Sequence, residues 1–552
     1  MRVADYIAEF IYNQGVRNVF LLSGTGSIHL DDAFAFFKGI KFITARHEAA
    51  AAAMAEASAK LTNNLGVVVT TTGPGGTNAI GGVVEAWVDS IPVLVLSGQV
   101  TRSQIDPRLR SFGVQGFNIV DHVRGITKYA ALVSDPKTIR FHLEKAIYLA
   151  KSGRPGPVWL DIPLDVQAET INSDTLERFV HPMSIVDDSW IKSVDTAVSL
   201  LLKAHRPLIV VGQGVRIAGA ISDFKKLIER IGAPVIATRM GQDILPDTHP
   251  LYFNMGGIRG HGHTGLIMKQ CDVILSLGSS MPHPFIGESS DAFADDVKII
   301  MVDLDRAEIE KPGLRVTTPI VHDVREVIQY LLDKLNMTNL PNYEAWLTQC
   351  RRFKATYSVI RQKDRKNPIN SYCFLEKLDD ASGPHHIFVS DAGSSYYITG
   401  QILKFNKGQR DITSSAFASM GMTLPLAIGA AVTSRDAQIL AITGDGSIEL
   451  NIQELRTISQ YKLNIKVFVI NNGGYASIRA SQDAICGGRY TDEQKVLNFK
   501  KVADAFELRF HILDRYESLD KNIVKILKEP GPALIEVVCD SKQEMIKPVK
   551  FE

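Results

Sequence analysis

At 552 residues the chain is too long for one hydrophobic core, and ordinary domain sizes divide it into three. With 45% hydrophobic and 22% charged residues it sits in the soluble globular range, and a formal charge of +1 excludes the polyanion-binding classes, nucleic acid among them. The five cysteines, Cys271, Cys350, Cys373, Cys486 and Cys539, show no CxxC spacing, which argues against a zinc site or a disulfide framework and suits a reducing, cytoplasmic compartment.

The N-terminal stretch MRVADYIAEFIYNQGVRNVF predicts an amphipathic helix, with Val3, Ile7, Phe10 and Ile11 at helical spacing before Gly15, and then a strand. It does not read as a signal peptide. No apolar run approaches the roughly 20 residues that cross a bilayer, so no membrane partner is expected. Short apolar runs then alternate with helical patterns: NVFLLSG, LGVVVTTTG and PVLVLSG, then PLIVVGQG, PVIAT, DVILSLGSS and KIIMVDLD, and finally HIFVSDAG, QILAITGDG, IKVFVINN and PALIEVVC. That rhythm predicts an α/β protein of three doubly wound parallel-sheet domains. Polar, weakly patterned stretches near 166–190 and 336–368 read as linkers, giving domains at 1–168, 188–335 and 366–545. Ligands of such sheets bind beyond the carboxyl ends of the strands. Those ends carry LLSGTGS, TTGPGGTN and SGQV in the first domain and SDAGSS, ASMGM, TGDGS and NNGGY in the third; GQGV and NMGGIRGHG in the middle domain are less distinctive.

The sharpest local signal is ITGDGSIELNIQELRTISQYKLNIKVFVINNGGY. A strand ends in Gly444-Asp445-Gly446, a helix follows, and the next strand ends in Asn471-Asn472. Asp445 and Asn472 are 27 residues apart, the length of a strand-helix-strand unit that sets two strand ends side by side. A carboxylate and an amide oxygen then converge, hard ligands suited to Mg²⁺ shared with a substrate phosphate. Small residues nearby let backbone N–H groups and a helix N-terminus approach a diphosphate.

This pattern resembles the thiamine-diphosphate motif, and a second segment, FITARHEAAAAAMAEASAKLTNNLGVVVTTTGPGGTNAIGGVVEAWVDSIPVLVLSGQV, resembles the acetolactate synthase family of thiamine-diphosphate enzymes almost continuously. The likeness continues through GRPGPVWLDIPLDV at 153–166, MVDLDRAEIEK at 301–311 and SMGMTLPLAIGA at 419–430. It implies pyrimidine-binding, central and diphosphate-binding domains in that order, thiamine diphosphate and Mg²⁺ as cofactors, and decarboxylation of a 2-oxo acid, pyruvate above all, with transfer of the two-carbon unit to a carbonyl acceptor. By the same resemblance Glu48, at the start of an alanine-rich helix, hydrogen-bonds a pyrimidine nitrogen. Asp445, Asn472 and the carbonyl of Gly474 hold the metal. Gly393, Ser394 and Ser395 lie against the diphosphate, with Gly444, Gly446, Ser447 and Tyr475 completing the cofactor site. Met420 props the thiazolium ring against the pyrimidine, while Gln115 and Thr25 stand beside the substrate; His29 is a weaker candidate on the same segment as Thr25. In the family the two halves of the site come from different subunits, which implies a homodimer or homotetramer.

The departures from the family bear on the acceptor. The segment NNGGYASIRASQ has Ser477 and Ser481 where the family carries methionine and tryptophan, and Val114 replaces a phenylalanine before Gln115. Losing aromatic area widens and wets a pocket, which favours a bulkier or more polar acceptor. GYxSIR segments resemble thiamine-dependent proteins of surface-polysaccharide pathways that act on a keto sugar nucleotide. FAD stays open: Arg154, GQGV at 212–215 and Thr238 lie at compatible positions, but LSLGSSMPHPF and GIRG depart from the family's flavin segments. The competing readings are a simple decarboxylase or oxidase of the same fold, and a catalytically silent homologue. A Rossmann dehydrogenase is disfavoured because no GxGxxG with an acidic residue about 20 positions onward stands out.

Overall fold

Runs of Val, Ile and Leu ended by glycine-rich turns form the inner strands of three six-stranded sheets in the computed structural model, which describes residues 1–182, 187–287, 296–415, 417–489, 495–543 and 545–546. The first sheet comprises β1 (Asn18–Leu21), β2 (Lys41–Thr44), β3 (Gly66–Thr70), β4 (Val93–Gln99), β5 (Tyr129–Leu132) and β6 (Val158–Pro163), in the order 2-1-3-4-6-5. The second comprises β7 (Pro207–Val211), β8 (Val235–Ala237), β9 (Tyr252–Met255), β10 (Val273–Leu277), β11 (Lys298–Asp303) and β12 (Thr318–Val321), in the order 12-11-10-7-8-9. The third comprises β13 (His386–Ser390), β14 (Arg410–Ile412), β15 (Gln438–Gly444), β16 (Ile465–Asn471), β17 (Arg509–Leu513) and β18 (Ala533–Val538), in the order 14-13-15-16-18-17.

Every strand pair is parallel, as the α/β reading requires, and the first and third sheets share one topology. In both, the chain reverses its winding between the first and third strands, so the loops after β1 and β3, and after β13 and β15, flank the crevice where such sheets bind ligands. The N-terminal helix spans Val3–Asn13 and buries Val3, Ile7 and Ile11 as its spacing predicts. The stretch 336–368, expected to be a linker, instead contains the helix Glu344–Thr356; Trp346, Leu347 and Cys350 are buried against the middle sheet, and the Trp346 indole N–H donates to the Pro207 carbonyl at 3.0 Å. Among the described residues no helix is long and apolar enough to cross a membrane.

The alanine-rich helix Glu48–Thr62 explains its own composition. It is squeezed between the helix Pro74–Val88 of its own domain and the helix Thr423–Thr433 of the third, so small residues predominate along it. A Cβ on Gly82 would stand 2.4 Å from the Ala49 carbonyl oxygen, and one on Gly429 would stand 2.2 Å from that of Met54. This helix seam ties the first and third domains into one apolar core.

Candidate active site

Three loops at the carboxyl edge of the third sheet meet around two buried aspartates. Asp445 follows β15, and its Oδ2 accepts the backbone N–H groups of Asn472 at 3.1 Å and Gly474 at 2.8 Å, while Oδ1 accepts that of Gly446 at 2.9 Å. Adjacency of β15 and β16 therefore brings Asp445 and Asn472 together as their spacing predicts. Burial raises the proton affinity of Asp445, and the amide donors oppose that shift. The Asn472 side-chain amide donates to Ser394 Oγ at 3.3 Å, which leaves its Oδ1 as a free-facing acceptor. The Gly474 carbonyl accepts from Ala476 N at 2.7 Å and keeps a second lone pair.

Gly393 begins the helix Gly393–Ile402, whose first N–H groups have no partner within the helix. Gly393 has φ +60°, a conformation that favours glycine, and a Cβ there would meet only Ser477 Oγ at 3.8 Å; a Cβ on Gly444 would meet open space. Open space thus lies beside these two glycines. Gly446 is different, because the Tyr475 ring lies where its Cβ would be, at 2.3 Å. The three expected hydroxyls divide. Ser394 faces Asn472, whereas Ser395 donates to the Ala392 carbonyl at 2.7 Å and Ser447 to Asp391 at 2.6 Å, both turned into the protein. Met420 sits on the loop between β14 and the helix Thr423–Thr433.

Sequence reasoning missed Asp391. This fully buried residue follows β13 and accepts the Ser447 hydroxyl, the Gly421 N–H at 3.0 Å and the Thr423 N–H at 3.3 Å on one oxygen, and the Ala392 N–H at 2.7 Å on the other. It joins the loops that carry Gly393, Met420 and Ser447, and its signal, an acid directly after an apolar strand in HIFVSDAG, was in view. Arg479 was missed as well; its guanidinium donates to the carbonyls of Gly473 at 2.6 Å and Asn472 at 3.0 Å, bracing the loop after β16.

A second cluster forms at the carboxyl edge of the first sheet. Glu48 opens its helix, is 5% exposed, and accepts the Asn78 side-chain amide at 3.1 Å through Oε2; a Cβ on Gly75 would lie 3.5 Å from Oε1. Gly73, at φ +60°, lies so close beneath Gln115 that a Cβ would stand 2.1 Å from the Gln115 carbonyl oxygen. Gly24 and Gly26, on either side of Thr25, press on Thr71 and Thr72. Glu48, Thr25 and Gln115 are thus gathered by the loop Thr71–Gly75, with Thr25 and Gln115 exposed. His29 lies half-buried on the following helix Ile28–Phe36. The side-chain hydrogen bonds of Glu48 and of Asp445 each stay within their own cluster, so the structure assembles two half-sites on two domains.

The middle sheet borders a cavity of about 310 Å³ lined by Arg154, Gln213, Gly214, Thr238, Asp303 and Tyr396, among others. Of the flavin candidates, Arg154, Thr238 and the Gln213 and Gly214 of GQGV therefore line one cavity. Yet the glycines of GQGV are explained by chain packing, since a Cβ on Gly212 would stand 2.2 Å from the Gly278 carbonyl oxygen and one on Gly214 would stand 2.7 Å from the Gly278 Cα. Arg154 is held by Ser90, Asp305 and Glu308. Among the described residues no cluster of three His, Cys, Asp or Glu side chains offers another metal site.

Two glycine-lined half-sites on sheets of identical topology define a class, and comparison with protein families names it. The thiamine pyrophosphate enzyme models match in order: the N-terminal TPP binding domain over residues 1–124, the central domain over 194–331 and the C-terminal TPP binding domain over 391–537. The chain is 30% identical to the acetolactate synthase large subunit of Cyanidium caldarium across 99% of its length and 94% of that protein. It is 31% identical to acetolactate synthase isozyme 3 large subunit of Escherichia coli across 91% of its length and 88% of that protein, and 31% identical to the large subunit of Porphyra purpurea across 96% and 90%. The chain belongs to the acetolactate synthase family of thiamine-diphosphate (thiamine pyrophosphate) enzymes.

Proposed function

We propose that the chain is a carboligase that decarboxylates pyruvate and joins the two-carbon unit to a carbonyl acceptor larger or more polar than a second pyruvate, a keto sugar nucleotide being the acceptor class its pocket residues favour. The observation that carries this reading is the pair of half-sites, one built round Glu48 and one round Asp445, each open where the other would close it. Bound thiamine diphosphate would supply the electron sink for loss of CO₂. Glu48 would hold a proton against a pyrimidine nitrogen, with Asn78 fixing the carboxylate. Asp445, the Asn472 side-chain oxygen and the Gly474 carbonyl would hold Mg²⁺, and Gly393, Ser394 and the helix start would take the diphosphate. Met420 would prop the folded cofactor, and Gln115 and Thr25 would meet the donor's carboxylate and carbonyl.

The halves would be completed by a second copy of the chain. Their loops carry exposed apolar side chains, Leu109 and Val114 on one and Phe417, Leu450 and Ile478 on the other, which a homodimer or homotetramer would cover. We take the domains to be 1–168, 188–335 and 366–545. The shared lining by Arg154, Gln213, Gly214 and Thr238 supports a nucleotide cofactor such as FAD in the middle cavity, where it would take no part in the reaction. Reduced, unpaired cysteines support a cytoplasmic setting.

The test is purified protein incubated with pyruvate, thiamine diphosphate and Mg²⁺, with and without keto acceptors. The expected result is slow CO₂ release with pyruvate alone and ligated product when a polar keto acceptor is added. Acetolactate as the main product throughout would overturn the acceptor assignment, and no turnover with any acceptor would overturn the carboligase reading.

A further inference from the structure

Four charged side chains are buried where the first domain meets the third. Glu56 and Lys60 come from the helix Glu48–Thr62, and Glu85 and Asp89 from the end of the helix Pro74–Val88; none is more than 7% exposed. Lys60 Nζ lies 2.6 Å from Glu56 and 2.7 Å from Asp89, and also donates to the Thr413 carbonyl at 2.7 Å. Burial raises the proton affinity of Glu56, and the Lys60 ammonium beside it opposes that shift. Buried charge of this kind is a poor source of stability, since apolar replacements are often neutral or better, and its best-attested use is to fix one register.

The register fixed here is that of one loop. Glu85 Oε2 accepts the Ser414 hydroxyl at 2.5 Å and Oε1 the Ser419 N–H at 3.0 Å, while Asp89 Oδ1 accepts the Ser415 N–H at 3.0 Å. Ser414 Oγ in turn accepts the N–H of Ala418, which stands at φ +46°. Tyr396, from the helix begun by Gly393, donates to the Ser415 carbonyl at 3.1 Å. Beyond Met420 the loop is tied to Asp391 through the Gly421 N–H. Met420 is therefore suspended between anchors from two domains.

We propose that Glu85 and Asp89 are positioning residues which, acting through Ser414, Ser415 and Ser419, set the chain leading into Met420 and hold that side chain against the cofactor. The N-terminal domain of each chain thus shapes the diphosphate half-site of its own C-terminal domain, while its Glu48 serves the half-site completed by a second copy. This rests on the reading of Met420 as the cofactor prop.

The experiment is a double-mutant cycle on the full-length protein, reading thiamine diphosphate affinity at saturating Mg²⁺ by calorimetry, with melting temperature of the cofactor-free protein alongside. Ser414→Ala and Met420→Ala should each weaken affinity by about 5-fold or more, and the double variant should fall short of the product of the two by a similar factor, as residues acting through one another do. Glu85→Gln, which keeps an acceptor for the Ser419 N–H, repeats the cycle should Ser414→Ala fold poorly. Unchanged affinity for Met420→Ala would overturn the prop and the latch with it. A normal loss for Met420→Ala with strictly multiplicative effects, or a Ser414→Ala variant that only melts lower, would overturn the latch alone.

Discussion

Asp391 and Ser447 lie 2.6 Å apart, the carboxylate at the end of β13 and the hydroxyl just past the end of β15, and Gly421 N–H donates to both. That shared contact closes the crevice between the first and third strands of the third sheet, where the winding reverses. Asp391→Ala strands the N–H groups of Ala392 and Thr423 and the Ser447 hydroxyl, leaving Gly421 N–H only Ser447 Oγ, and each orphaned buried donor costs roughly 1–3 kcal/mol. The expected outcome is a loss of several kcal/mol in urea unfolding together with weaker cofactor binding. Asp391→Asn, which keeps one oxygen for Gly421, Thr423 and Ser447, should lose less in both measurements.

Glu48→Gln keeps the size of the side chain and removes the carboxylate that would hold a proton on the cofactor ring. Cofactor affinity should change little. The rate of CO₂ release from pyruvate should fall by about 10²- to 10⁴-fold, the usual worth of a positioned acid-base group. Asn78→Ala, which leaves the carboxylate but frees its orientation, should show a smaller loss; a Glu48→Gln protein with full turnover would remove Glu48 from the chemistry.

Asp161 gives a pH prediction with a fixed sign. It is buried within β6, accepting Ser97 Oγ at 2.5 Å and Gln99 Nε2 at 2.9 Å, and Gln99 also donates to the Phe117 carbonyl at 2.8 Å in the loop that carries Gln115. Burial pushes its carboxyl up to about 7, against about 3.9 in an unfolded chain. The native state therefore binds the extra proton between those values, and the stability Asp161 contributes is full below pH ~4 and is lost as pH rises towards 7. In denaturant titrations Asp161→Asn should flatten that part of the stability-pH curve, whatever offset it adds at low pH. An unchanged slope between pH 4 and 7 would refute the assignment.

The strands that the sequence does not announce have a common physical cause. The eleven apolar runs of the sequence are inner strands, buried on both faces, such as Val467–Ile470 of β16. The six sheet edges, β2, β5, β9, β12, β14 and β17, carry no such run, because most are short and partly exposed: Lys41 and Phe42 of β2 face outward, as do Arg509 and Ile512 of β17. The seventh, β6, is interior but broken by Asp161, whose burial in an apolar strand only its partners Ser97 and Gln99 make tolerable. The clustering of Asp445 with Asn472 was legible because glycine, aspartate and asparagine at strand ends have few structural uses in that pattern. Asp391 was passed over although it follows an apolar strand, because the backbone N–H groups it holds in a distant loop leave no mark of their own in the sequence. Glu85 and Asp89 escaped for a related reason: their partners lie more than three hundred residues away in sequence, at |i−j| of 329 and 326.

The acceptor side offers the last test. Ser477 lies on the helix Ala476–Ile485 with its hydroxyl 3.8 Å from where a Gly393 Cβ would be, and Ser481, one turn on, is exposed and donates to the Ser477 carbonyl at 3.1 Å. A tryptophan at 481 would add well over 100 Å² of apolar surface to this helix face. Ser481→Trp should therefore shift product from a bulky keto acceptor towards acetolactate, by about 10-fold or more in the ratio of the two, a pocket-shape effect of the size a few buried methylenes produce. The ratio is read by competing pyruvate against the larger acceptor in one reaction. A product ratio indifferent to residue 481 would mean that the acceptor is chosen elsewhere, with the loop bearing Val114, which is 78% exposed, the next place to substitute.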